Sequence, residues 1–339
     1  MRATIRSLAA HCGLSTATIS RALAGKVHVE AGTRARIEAA AQALGYARND
    51  LVGSLMAHLR GARETTFIGN LALVHVPFPV QPVMNAQQRR IVRGAQSRAR
   101  DLGFQLYSFS LGDSGARPQS VLANLRARGV LGLIFLYSHP MAAPLDFPWH
   151  EFVALEIDYG QREPLLHTVC HDHYLTLTNA LVRLRAAGYR RAGLIIEDFK
   201  DERILGKWSA AFGAFQRRPE NLGVVPVLAA TTITEPAFAR WYLAHRPDVV
   251  VGHVDRCVGW LEKLKRNVPD DVGFFSLNRD ESAVPCAGLD PRLELQGSVA
   301  VDALLAQTQR GERGLPAIPR TLMVPGAIIA GPTVRGLGK

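Results

Sequence analysis

The chain has 339 residues, 47% of them apolar, which is enough for more than one hydrophobic core, since single cores stop growing at about 250–300 residues. The formal net charge of +11 favours a polyanionic partner, and the first 66 residues hold nine Lys or Arg against four Asp or Glu, so the basic excess is concentrated at the N-terminus. Four scattered cysteines (Cys12, Cys170, Cys257, Cys286) without a Cys-x-x-Cys pair argue against a disulfide framework and a zinc ribbon; MRATIRSLAAHCG has no apolar signal core, and no stretch reaches the roughly 18–20 apolar residues that span a bilayer, so a cytoplasmic chain without membrane contact is expected.

In chain order, residues 1–48 read as three short helices. The first buries Ile5, Leu8, Ala9 and Cys12 at helical spacing, with Thr4 as N-cap and Gly13 as terminator. A second starts at the N-cap Ser15, buries Ile19 and Leu23 and ends at Gly25; a third runs from about Thr33, buries Ile37, Ala41 and Leu44 and stops at Gly45. Two short helices joined by a tight glycine-containing turn, with a third behind them, make a helix-turn-helix domain.

From Phe67 the texture changes to apolar runs alternating with amphipathic stretches, the signature of parallel sheets flanked by helices. Strands are expected at Ile68, Phe104, Val130, Glu151, Ala192, Val224, Asp248 and Val272, with helices such as 86–102, 174–187, 203–217 and 256–266 between them. Leu-Gly-Phe at 102–104 and Ala-Gly-Tyr at 187–189 close a helix in the same way, which predicts two similar lobes, each presenting a ligand-facing edge at its strand C-termini.

The second helix places Thr16, Ala17, Ser20 and Arg21 opposite its apolar stripe. An arginine there can donate two hydrogen bonds to guanine O6 and N7 in a major groove, and Thr16 with Ala17 offers a hydroxyl and a small apolar surface to a thymine methyl. The competing reading is an ordinary solvated face.

The stretch TIRSLAAHCGLSTATISRALAGKVHVEAGTRARIEAAAQALGYARNDLVGSL resembles the headpiece and hinge of the lactose-repressor/galactose-repressor (LacI/GalR) family of transcriptional regulators. The resemblance implies that Ser15 caps the recognition helix, that Thr4, Thr16, Ala17 and Arg21 belong to the DNA-contacting set and that Ser20 meets a phosphate. It makes 49–66 a hinge helix and linker, with Asn49, Ser54 and Leu55 at the DNA and Leu55 as the wedge between base pairs of the minor groove; the competing reading is a plain flexible linker. Ala24, Glu30 and Gly53 depart from the family pattern, and Gly53 weakens a helix that nucleates poorly in any case.

The resemblance continues in Arg93-Gly94, Gly129-Val130 and Val268-Pro269-Asp270-Asp271-Val272. It implies a periplasmic-binding-protein-like α/β sensor whose first lobe takes 67–166 and 291–323 and whose second takes 167–290 and 324–339, with a small effector of carbohydrate type between them. Arg203 would grip sugar hydroxyls or a carboxylate, with Asp172, His253, Asp255 and Asn278 beside it and Phe78 or Trp208 as a stacking surface. Arg203 also has a plain reading as a surface ion pair, and Phe78 and Trp208 as core. A homodimer on a pseudo-palindromic double-stranded operator follows from the family, with no cofactor and no enzymatic activity. Cys170-His171-Asp172-His173 suggests a metal or hydrolytic site, but a third and fourth ligand at workable spacing are missing. Neither a Gly-x-Gly-x-x-Gly loop nor a Gly-x-Ser-x-Gly elbow occurs where nucleotide-binding or hydrolase chemistry needs it, which leaves a solute-binding protein or a sugar-active enzyme with an appended basic domain as the alternatives.

Overall fold

The computed structural model describes residues 5–23, 31–44, 67–77, 83–111, 118–139, 145–160, 163–218 and 224–337. The chain divides into two units, Met1–Ile68 and Gly69–Lys339.

In the first unit, helices α1 (Ile5–Cys12), α2 (Thr16–Leu23) and α3 (Ala31–Ala43) enclose Leu8, Ala9, Ile19, Ala22, Ile37 and Ala41. The turn between α1 and α2 is fixed at both ends. Leu14 N donates to Ala9 O at 3.1 Å, and the Ser15 hydroxyl accepts from Thr18 N at 3.1 Å, which caps α2. One expectation fails at α3: the helix begins at Ala31, and Leu44 is 38% exposed, because the helix ends at Ala43 before its apolar stripe completes another turn. Thr4 lies outside the described residues, so its capping role has no structural counterpart here.

The second unit holds two six-stranded sheets. The first comprises β1 (Gly69–Val76), β2 (Phe104–Ser110), β3 (Val130–Tyr137), β4 (Val153–Ile157), β5 (His167–His171) and β11 (Thr321–Val324), all parallel, in the order β11-β5-β4-β3-β1-β2. The second comprises β6 (Ala192–Glu197), β7 (Leu228–Ala230), β8 (Val249–Gly252), β9 (Gly273–Ser276), β10 (Ala287–Asp290) and β12 (Ala327–Ile329) in the equivalent order β12-β10-β9-β8-β6-β7, with β12 antiparallel to β10. Central strands such as β3 are buried along nearly their whole length, as a sheet covered on both faces requires. Helices α4 (Ala86–Asp101), α5 (Pro118–Ala127) and α11 (Leu293–Arg310) belong to the first lobe, and α6 (His173–Ala186), α7 (Asp198–Glu202), α8 (Lys207–Gln216), α9 (Glu235–His245) and α10 (Cys257–Lys263) to the second. Among the described residues no helix is long and apolar enough to cross a membrane.

The chain passes between the sheets three times, from β5 into α6, from β10 into α11 and from β11 into β12. This corrects the lobe boundary expected at 166: β5 pairs with β4 and β11, so the first crossing comes after His171. Strands β5, β10, β11 and β12 were not anticipated, and the strand expected at Val224 forms four residues later as β7.

Helices α4 and α11 approach at backbone distance through glycine. A Cβ on Gly94 would stand 1.9 Å from Glu294 O, and one on Gly297 would stand 2.1 Å from Ile91 O. Gly94→Ala is therefore expected to force the helices apart and to destabilise the sensor by about 1–3 kcal/mol, as overpacking does; chemical denaturation with an unchanged midpoint would contradict this close packing.

Candidate functional site

Parallel strands of this order bind ligands beyond their C-terminal ends, and both sheets deliver those ends to one cavity of about 190 Å³ between the lobes. The first lobe supplies Tyr137 at the end of β3 and Ser138 after it, Asp158 after β4, His171 at the end of β5 and Gln88 and Gln296 from α4 and α11. The second supplies His173, Phe199, Lys200, Arg203, Trp208 and Asn278.

Each wall is held by its own local chemistry. Gln88 closes a reciprocal capping box with Asn85, each side chain accepting from the other's backbone N–H at 2.8 and 2.9 Å, and Gln88 Nε2 also donates to Tyr137 O. The buried Asp201 carboxylate accepts from Trp208 N at 3.1 Å, which starts α8 with the indole facing the cavity. Asp158 adopts φ 67, a left-handed conformation uncommon for a residue with a Cβ and concentrated at binding sites.

Six side-chain atoms on residues lining this cavity are shielded from solvent without a hydrogen-bond partner: Gln87 Nε2, Asp158 Oδ1, His173 Nδ1, Arg203 Nε, Trp208 Nε1 and Asn278 Oδ1. Buried polar atoms are almost always paired, because leaving one unpaired costs about 1–3 kcal/mol. Donors and acceptors are both present in this set, which suits a ligand whose groups can do either.

A file of rings backs the cavity. His171 and His173 stand 4.5 Å apart, His173 meets Trp208 edge-on at 5.0 Å and Trp208 meets His253 at 4.4 Å. Burial lowers all three imidazoles from the usual histidine range, His171 to about 4 and His253 to about 3, with His173 lowered further by its charged neighbours. All three are neutral at pH 7, so the file acts as an uncharged polar wall.

The residues anticipated from sequence divide into several groups. Arg203 and Asn278 line the cavity. Asp172 does not: its carboxylate accepts from Leu175 N at 3.0 Å and caps α6, while its neighbours His171 and His173 face inward. His253 stands behind Trp208, both ring nitrogens shielded from solvent. Asp255 holds a loop, accepting from Ala283 N at 2.7 Å and Ser282 Oγ at 3.2 Å. Phe78, Thr4, Asn49, Ser54 and Leu55 fall outside the described residues, as do the side chains of Ala17, Ser20 and Arg21 on α2; Thr16 is exposed. Asp158, Gln88, Gln296 and His171 were missed as cavity residues, since only the topology brings them together. Among the described residues no group of three or more His, Cys, Asp or Glu could hold a metal ion.

A helix-turn-helix unit followed in sequence by two parallel-sheet lobes around a polar cavity is an architecture of the periplasmic-binding-protein-like type with an added DNA-binding motif. Residues 4–49 match the family model described as bacterial regulatory proteins, lacI family. The HTH-type transcriptional regulator PtxS of Pseudomonas plecoglossicida is 30% identical over 222 residues, 65% of this chain and 62% of that protein, and PtxS of Pseudomonas putida is 27% identical over 92% of this chain and 91% of that protein. The lac repressor dimer bound to operator and the anti-inducer ONPF superposes with a TM-score of 0.54 at 20% identity, covering 99% of this chain and all of that one. The CelR–cellobiose complex does so with 0.53 at 20% identity, covering 98% and 100%. The lacI-family match thus covers the helix-turn-helix unit, and the solved structures share the fold of the whole chain.

The buried imidazoles give the fold an acid-sensitive term with a definite sign. Their folded pKa values lie below the unfolded value near 6.5, so the unfolded chain takes up protons first and stability falls as pH drops from about 6.5 towards about 3. His253→Gln is expected to make the stability–pH slope shallower there by up to one proton, about 1.4 kcal/mol per pH unit; identical slopes for the two proteins would show that this ring does not titrate as described.

Proposed function

We propose that this chain is a cytoplasmic transcriptional regulator of the lacI family that binds a pseudo-palindromic operator as a homodimer and responds to a small polyhydroxylated effector, a sugar or sugar derivative, in the interlobe cavity. Residues 1–48 form the DNA-binding domain, 49–66 the hinge helix and linker, and the remainder the sensor. The observation that carries the effector reading is the convergence of six unpartnered polar atoms, donors and acceptors together, on one cavity fed by both lobes. A hydroxyl donates and accepts at once, so a polyol can satisfy such a mixed set where an acceptor-only anion cannot. At about 30 Å³ per water, a space of about 190 Å³ holds roughly six waters, the scale of one sugar ring.

The exposed Thr16 and the Ser15 cap on α2 support the reading of that helix as the recognition helix, with Ala17, Ser20 and Arg21 on the same element. Asn49, Ser54 and Leu55 are proposed to act at the minor groove, with Leu55 as the wedge. On the effector side, Arg203 and Asn278 lead the set; Asp172, His253 and Asp255 serve as supports, and Phe78 remains proposed as an apolar neighbour.

Interlobe contacts supply a route from effector to DNA. The Arg90 guanidinium of the first lobe pairs with Asp280 of the second, and Lys207 of the second reaches Tyr159 of the first. An effector that fills the cavity adds to these closing contacts and shifts the population towards the closed arrangement.

Arg203→Ala is expected to abolish the effector's influence on operator affinity while leaving effector-free operator binding unchanged; simultaneous loss of both would point to a folding role. Arg21→Ala should cost about 1–3 kcal/mol of operator affinity and relax base preference at one position per half-site. A binding-site selection that returns the same consensus for both proteins would remove Arg21 from the reading set.

A further inference from the structure

A second cavity, about 430 Å³ and open to solvent, lies against the interlobe crossings and not within the cleft. Thr176, Asn179 and Arg183 of α6 form one side, Arg292 of the second crossing another, and Pro325–Ile328 of the third crossing the floor. No carboxylate lines it.

The Arg183 and Arg292 side chains form no ion pair among the described residues, so neither guanidinium charge is neutralised by a carboxylate. The nearby Asp290 carboxylate is engaged elsewhere, accepting from Arg292 N at 2.8 Å and lying 3.8 Å from Arg90. Arg292 is held at φ 54, a left-handed conformation that a residue with a Cβ adopts at a cost. It is also the N-cap residue of the 18-residue α11.

The floor of this cavity touches the back of the cleft. Thr176 Oγ1 accepts from Gly326 N at 3.0 Å and lies 3.1 Å from Nε2 of the cleft residue His171. There is no slack at that point: a Cβ on Gly326 would stand 2.6 Å from His171 Nε2, 2.8 Å from Asp290 O and 2.9 Å from Thr176 Cγ2. All three crossings meet there, so the outer cavity and the cleft share the contact between Thr176 and His171.

We infer that the outer cavity is a second regulatory site, binding a compact phosphorylated anion between Arg183 and Arg292 at the interlobe crossings. Guanidinium forks match phosphate oxygens two at a time, and the open mouth admits a charged group without full dehydration. This site is separate from the cleft and takes a ligand of opposite character, an acceptor-rich anion instead of a polyol.

The test is calorimetric titration of the full-length protein with pyrophosphate at fixed ionic strength, alongside hydrogen exchange of the segments 173–183 and 321–329. One saturable site per chain is expected, with slowed exchange in both segments. The double variant R183Q/R292Q should weaken binding at least tenfold, while Arg203→Ala should leave it intact. Circular dichroism and the unfolding midpoint confirm that the double variant is folded, both arginines being exposed. Absence of saturable binding overturns the proposal. So does binding that survives R183Q/R292Q, or binding lost in R21Q alone, which would assign the anion to the basic headpiece. Citrate binding as tightly as pyrophosphate would overturn the assignment to phosphate chemistry.

Discussion

The sensor depends on a single constraint: its two sheets are joined by three chain crossings, and all three meet at one place. The backbone at Gly326, the His171 ring and Asp290 O come from the third, first and second crossings, and a methyl group would not fit among them. From this junction the strand C-termini of the two sheets face one another across the cavity like a jaw, and the unpartnered polar atoms gathered there are those that a ligand must satisfy.

The cleft divides its labour between charge and neutrality. Arg203 and Asp158 bring opposite charges from opposite lobes, while the imidazoles behind them are kept neutral by burial. A neutral imidazole can donate at one nitrogen and accept at the other, and it does so without attracting a counter-ion. At the rim, Arg90 holds Glu294 through two hydrogen bonds of 2.8 and 2.7 Å and keeps its carboxyl down near 2, while also reaching the opposite lobe at Asp280. Strong charge pairing thus sits at the edge of the jaw and hydrogen-bonding capacity at its centre.

What could be read from the residues followed how locally each feature is determined. The α1–α2 turn was legible because Gly13 and Ser15 act on backbone groups within a few positions. That Arg203 and Asn278 line the cavity follows the position that the resemblance gave them, Arg203 through a short motif and Asn278 as a departure from it. Asp172 and Asp255 misled for the opposite reason: both acids lie close to the cleft in sequence, but nearby backbone N–H groups claim them first. Asp158, Gln88 and Gln296 could not be seen, since each lies on a different element and only the strand order brings them to one cavity. The four unanticipated strands are three to five residues long, and sequences such as HTVCH and TLMV are too short to display a period of two.

The two lobes share a strand order but not a schedule of manufacture. The first sheet starts with β1 at Gly69, yet its edge strand β11 ends at Val324, and α11, which packs under it, ends at Arg310. On a ribosome adding residues in order, this lobe therefore waits with an open sheet edge and an uncovered helix face until Val324 has emerged. The second lobe, nearly all of it contiguous in sequence, can condense meanwhile. Premature termination anywhere before β11 would leave the lobe closest in sequence to the helix-turn-helix unit unfinished, so a truncated product would carry that unit without the complete second unit.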